Sequence, residues 1–341
     1  MKNLLPILFF FSCFVLFGQT GIPQIKRDTC YKKSLARKGQ RFTEWECGKL
    51  AGVVDCNEKL ELADPSSDVV LSTGSHKPFT GTCETCHNNG ILQRRVRFVN
   101  GFTDGMDTTT YISGCTEVIR SHIQGKPNGH WTYFEDSTGF PLWEKNYVMG
   151  ELNGVQINYV SRKTKLDTLK LETYKMGVLN GPKITFSRGI RAKEVHYTNG
   201  LMNGPFIEYN KEGKVIQEIY YKEGKKHGVF SYYYDDGTLL RTENWNMEVK
   251  SGEFKTFYYD QSIQEIENYK KGLKEGWFEQ RFPDGKLKRR AYYEKDVLME
   301  EHVYDQEGRE IKTLGGTASS GKEDDAMPGK KKKNKKAKPT N

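Results

Sequence analysis

A chain of 341 residues that is 36% hydrophobic and 12% aromatic, with 34 glycines, has too little aliphatic side chain for one large central core and fits a thin repeat architecture better. Its formal net charge of +9 would ordinarily point to a polyanion, yet seven lysines and no acids fall within residues 330–341. The remainder is close to neutral, so nucleic acid is not an expected partner of the folded part.

Residues 1–18 read as a secretory signal peptide. Lys2 supplies the basic end, residues 4–17 an apolar run and Gly18 the small residue before cleavage, so the mature chain is expected to begin at Gln19. An N-terminal anchor that stays attached is one alternative. Lipidation at Cys13 is another, opposed by Phe10 and Phe11 upstream and by the apolar residues 14–17 it would leave behind. No later stretch is long and apolar enough to span a bilayer, so no transmembrane segment is expected after signal removal, and the address is periplasmic, envelope-associated or secreted.

Residues 19–76 read as an N-terminal cap with a possible degenerate repeat around Gly48 and Gly52, since terminal repeats lack a neighbour on one side. Six cysteines remain after the signal, all before residue 116. An even count in an exported chain suggests disulfides. Cys47 and Cys56 are expected to pair across a turn, with Cys83 and Cys86 as further disulfide candidates.

From residue 77 to 315 one pattern returns about every 24 residues. Gly129, Gly154, Gly181, Gly204, Gly228, Gly252 and Gly276 mark its register, Gly81 and Gly105 extend it backwards, and Glu300 breaks it at the end. A first glycine stands four residues earlier in most repeats, replaced by Glu248 and Asp296 in two later ones. Three residues before that lies an aromatic: Tyr197, Tyr221, Trp245 and Tyr269 in the central copies, with His122 as an exception. The run after each second glycine is aromatic and β-branched, as strands prefer. Asn89-Gly90, Ser113-Gly114, Glu212-Gly213, Asp236-Gly237 and Asp284-Gly285 offer the positive φ of tight turns midway. Each repeat is therefore a hairpin, too small to bury its aromatics alone, so about ten of them should stack into an elongated single-layer solenoid on the order of 95 Å long. The repeat with residues 161–166 in place of the Asn-Gly turn is expected to bulge or bend.

Cys83-Glu84-Thr85-Cys86-His87 has the spacing of a c-type haem attachment site. Against that, Cys83 and Cys86 fall where Phe230 and Tyr233 stand in the reference repeat, so a structural dithiol or disulfide is the favoured reading, with zinc at Cys115 or His87 a further alternative. After residue 315 the pattern stops, and residues 316–341 read as a disordered, Lys-rich tail, either a solvated end or an adhesive for an anionic polymer or lipid.

The Gly-x-x-Asn-Gly, Tyr-Tyr, Asn-Gly and terminal Tyr of the repeats resemble the MORN-repeat variant of bacterial YwqK-like antitoxin proteins, over about 70% of the chain. The resemblance implies stacked β-hairpins serving as a scaffold or binding surface, and, through the antitoxin group, neutralisation of a toxin by direct contact.

The histidines are scattered and no nucleophile elbow, phosphate loop or zinc-protease spacing occurs, so no catalytic residue and no cofactor are expected. The expected function is non-catalytic binding of a protein or anionic polymer at the bacterial envelope. The toxin-binding alternative conflicts with export, and the haem protein is a minority alternative resting on Cys83, Cys86 and His87.

Overall fold

The computed structural model describes residues 50–162 and 165–315. Residues 1–18, read as a signal peptide, the tail, Cys30 and Cys47 lie outside the described residues. Apart from one turn of helix, Cys56–Lys59, the regular elements among the described residues are strands. Twenty-six of them form one open, mostly antiparallel sheet, and Leu60–Leu62 pairs with Val70–Ser72 in a separate ribbon. Two compact units divide the chain.

The first unit holds the described residues up to Thr238 together with Asn246–Glu248. Val53–Asp55 enters parallel to Gly81–Cys86, and from there consecutive strands pair antiparallel with their chain neighbours. Val54, Cys56, Leu60, Val70 and Phe79 pack on buried Cys83, Val96 and Phe98, so the segment before the repeats closes over the first hairpin. The repeat expected to bulge or bend has longer strands, Gly154–Arg162 and Lys165–Lys175, paired out to Arg162 and Lys165 with a shift of register between Asn158 and Tyr159, and residues 163–164 lie outside the described residues.

The second unit holds residues 239–245 and those from 249 on. Gly252–Phe257 pairs with Ile263–Lys270, Gly276–Arg281 with Leu287–Glu294, and Val297–Tyr304 with Glu310–Gly315.

The repeated residues have local physical causes. The second glycine of each hairpin sits directly across from that hairpin's aromatic: Gly181 from Tyr197, Gly204 from Tyr221, Gly252 from Tyr269 and Gly276 from Tyr293. Gly204 has φ +113°, and a Cβ there would come within 3.2 Å of His196 Cβ on the preceding strand. A side chain would therefore be both strained and crowded. The first glycine is the second residue of a two-residue turn in which both positions are left-handed, as at Glu223-Gly224 (φ +51° and +78°), the twist that suits a tight hairpin. In the two later repeats that lack that glycine, the residue in its place supplies a carboxylate: Glu248 Oε1 accepts from Lys226 N at 2.7 Å and Asp296 Oδ1 from Lys274 N at 2.7 Å.

Midway turns carry positive φ at Gly90, Gly114, Gly213, Gly237 and Gly285, as expected. Tyr234, one residue beyond Tyr233, is half-buried, and the tyrosines at its register elsewhere are rungs: Tyr111 donates its hydroxyl to Phe134 O at 2.7 Å and Tyr258 to Arg281 O at 2.6 Å.

Candidate binding surface

Rings on the face of an open sheet need cover of their own. In the second unit the cover is cationic. Phe254 is fully buried beneath Lys250 Nζ, 5.2 Å from its ring centre, and Arg241, whose guanidinium carbon is 5.9 Å away. Lys250 also lies 4.5 Å from Tyr269, and Lys274 covers Phe278 and Tyr293 at 5.3 and 4.9 Å. Each lysine is the residue two before a second glycine, so the tight turn delivers it over the aromatic ladder. The rings beneath meet edge to face, Trp245 to Phe254 at 6.0 Å, Phe254 to Tyr269 at 4.9 Å and Tyr269 to Phe278 at 5.6 Å.

Charged side chains continue this face along the strands. Arg241 donates from Nε to Glu243 at 2.8 Å, from Nη2 to Glu267 at 2.9 Å and from Nη1 to Thr256 Oγ1 at 3.0 Å. Trp245 Nε1 donates to Glu243 at 2.9 Å and the Tyr269 hydroxyl to Glu267 at 3.1 Å. Burial, helped by the Glu267 charge, pushes the Tyr269 hydroxyl up to about 12, so it remains a donor at any physiological pH. The result is a face of rings, cations and carboxylates whose orientations are fixed by one another. Such a surface can present paired charge and aromatic area to a partner.

In the first unit the same register is partly polar. Asp107, two residues after Gly105, is 1% exposed. Its Oδ1 accepts from Arg94 Nε at 2.9 Å, and Oδ2 from Arg94 Nη2 at 3.0 Å and Arg120 Nη2 at 3.0 Å. Gln156, at the equivalent position after Gly154, bonds both the N and O of Asn146. His122 packs on Trp131 with ring centres 5.1 Å apart, and burial lowers its pKa. Phe206 and Phe230 restore rings at this position, with Lys193 and Lys226 over them.

The predicted site residues fall as follows. Gly129, Gly154, Gly181, Gly204, Gly228, Gly252 and Gly276 all have positive φ. Tyr197, Tyr221, Trp245 and Tyr269 are half-buried, whereas Phe230, Phe254 and Phe278 are buried. The covering cations and the buried Asp107 and Gln156 were missed. Lysine recurring at 226, 250 and 274 was their one visible signal.

The cysteine reading needs correction. Cys56 is bonded to Cys83, with Cα atoms 5.1 Å apart, not to Cys47, which lies outside the described residues. Strand pairing explains it, because Val54 lies beside Cys83 and the helical turn starts at Cys56. Cys86 and Cys115 are disulfide-bonded as well. The Cys83, Cys86 and His87 set does not fit a covalent haem: both sulfurs are consumed, and His87 Nε2 donates to Thr110 O at 2.8 Å. Among the described residues no three His, Cys, Asp or Glu side chains cluster as a metal site, and no helix is long and apolar enough to cross a membrane.

No curated protein matches the chain. A family model described as MORN repeat variant matches residues 202–223 and 226–247, each running from the end of one tight turn to the next, so the hairpins of this stretch are two consecutive repeats of the MORN variant.

Proposed function

We propose that the protein is a non-catalytic repeat scaffold of the bacterial envelope, and that the ring-and-cation face of its second unit binds a protein or anionic polymer there. The observation that carries this is the repeated placement of Lys250 and Lys274 over the ladder of Phe254, Tyr269, Phe278 and Tyr293. Aromatic area covered by ammonium groups, beside the Arg241–Glu243–Glu267 cluster, is the composition from which binding hot spots are made. MORN repeats commonly serve as binding scaffolds, which agrees with this reading. Lys2 and the apolar residues 4–17, which resemble a signal peptide, are what supports the export this reading assumes.

The test compares immobilised mature protein with the Lys250→Glu/Lys274→Glu double variant in envelope and cytosolic extracts. A partner enriched from the envelope and lost on charge reversal, with the variant still folded by circular dichroism, is the expected result. Equal retention by both proteins, or retention from cytosol alone, would refute it.

A further inference from the structure

The hairpin of Val178–Ser187 and Ile190–Thr198 closes through only Arg188 and Gly189, both left-handed at φ +53° and +82°. Its successor, Leu201–Tyr209 to Val215–Lys222, closes through residues 210–214. Gly213 of this longer loop lies against Ile190, whose Cγ2 a Cβ would approach to 3.3 Å. Between the two unequal tips is a cavity of about 330 Å³, within the range of roughly 300–1,000 Å³ that small-molecule sites occupy.

Its lining combines two chemistries. Ile190, Ala192 and the ring of Tyr209 are apolar, while Arg188, Arg191 and Lys211 bring three cations. Glu194 holds two of these groups: Arg191 Nη1 donates to Oε2 at 3.2 Å and the Tyr209 hydroxyl to Oε2 at 3.5 Å. The other oxygen of Glu194 is taken by His196 Nε2 at 2.8 Å, so this carboxylate is shared among three partners. Arg188 and Lys211 form no ion pair among the described residues. Positive charge therefore exceeds negative charge around a partly apolar cavity, which favours an anion carried on an organic body over a bare ion.

We propose that this cavity is a binding site for a small anionic sugar, a ring of carbohydrate size bearing one carboxylate or phosphate. The anion lies between Arg188, Arg191 and Lys211, and the ring rests on Tyr209, Ile190 and Ala192. This site is separate from the ring-and-cation face and stands whether or not that face has a partner.

The test is calorimetric titration of the full mature chain with glucuronate, glucose 6-phosphate, glucose and inorganic phosphate. At least one charged sugar should bind saturably, more tightly than glucose or phosphate. Arg188→Gln/Lys211→Gln, both exposed turn residues, should weaken binding by about tenfold or more with an unchanged melting temperature. Ala192→Phe, which fills the cavity, should abolish it. Absence of binding by both charged sugars overturns the proposal, as does wild-type affinity in the double variant. Phosphate binding as tightly as glucose 6-phosphate also overturns it, because the apolar lining would then contribute nothing. Which charged sugar binds better identifies the anion.

Discussion

Asp107 in the first unit and Phe254 in the second occupy the same register position, two residues after a second glycine, and both are fully buried at 1% and 0% exposure. One is a carboxylate and the other a ring. Each also faces the same cation, because Arg94 and Arg241 stand at equivalent places on the strand before them: Arg94 grips Asp107 through two hydrogen bonds, and Arg241 lies over Phe254. The position thus demands something that an overlying guanidinium can cover, and an ion pair and a cation–π contact are alternative answers. At this register long cationic side chains cover the buried group, so a charged residue here is a substitute for an aromatic and not a defect.

That equivalence is open to attack at both residues, and the largest effects are expected here. Asp107→Ala should cost about 3 kcal/mol, because charge-assisted hydrogen bonds from Arg94 and Arg120 are lost together, although both arginines are partly exposed to water. Phe254→Ala should cost about 3–5 kcal/mol through the cavity it leaves. Trp245→Ala, at a half-buried position, should cost less than Phe254→Ala. Denaturant melts of the three variants check the ranking; a near-neutral Asp107→Ala would mean that its burial contributes no stability and that the comparison is superficial.

The units also differ in how their outer segments are held, covalently in one and by ionic contacts in the other. Cys56 and Cys83 close a loop with a sequence separation of 27 residues, so Cys56→Ser should cost about 2–4 kcal/mol. The loss should be local, with hydrogen exchange accelerated in Val53–Asp55 and Gly81–Cys86 while Gly276–Arg281 keeps its protection. Uniform acceleration would mean that the two units unfold together.

A smaller effect sharpens the role of the shared arginine. Arg241→Ala removes three hydrogen bonds and leaves Glu243 and Glu267 without their common cation, at an expected cost of about 1–3 kcal/mol. Arg94→Ala should cost more, since Asp107 is then buried with Arg120 as its remaining cation. If the two variants melt alike, the guanidinium contributes mainly by covering surface and the identity of the group beneath it is irrelevant.

The hairpins, their register and their midway turns were legible because each rests on local chemistry: a residue able to adopt positive φ at Gly237 or Gly285, and β-favouring runs such as Gly228–Tyr233. The pairing of each second glycine with its own aromatic is also implicit in the spacing, although only the strand register reveals it. What stayed hidden depends on neighbours distant in sequence. Asp107 reads as an ordinary surface acid until strands on either side bring Arg94 and Arg120 to it. Cys56 finds Cys83 because a parallel strand precedes it, a pairing that turn chemistry does not announce. The anion cavity arises from the unequal lengths of two adjacent tips, a property of neither hairpin alone.

The smallest effect concerns the final strand, Glu310–Gly315, where ionic contacts take the place that a disulfide has in the first unit. His302 bonds Glu300 through Nε2 at 2.6 Å and Glu310 through Nδ1. The bonds to Glu300 and then Glu310 raise the His302 pKa above its ordinary 6.5, while Thr313 and then His302 lower that of Glu310 below its ordinary 4.5. A raised histidine contributes its stabilisation fully below 6.5 and loses it as pH rises through the higher folded value. A depressed carboxylate contributes above 4.5 and loses it as pH falls through the lower folded value. The clamp is therefore strongest between pH 4.5 and 6.5. Both groups are solvent-accessible, so the effect should be confined to the last strand and weaken with added salt. Exchange protection of Lys312 and Leu314, corrected for intrinsic rate, should fall as pH is raised from 6 towards 9, and His302→Gln should remove the dependence. A pH-independent profile in the wild-type protein would show that backbone pairing with Val297–Tyr304 alone holds this strand.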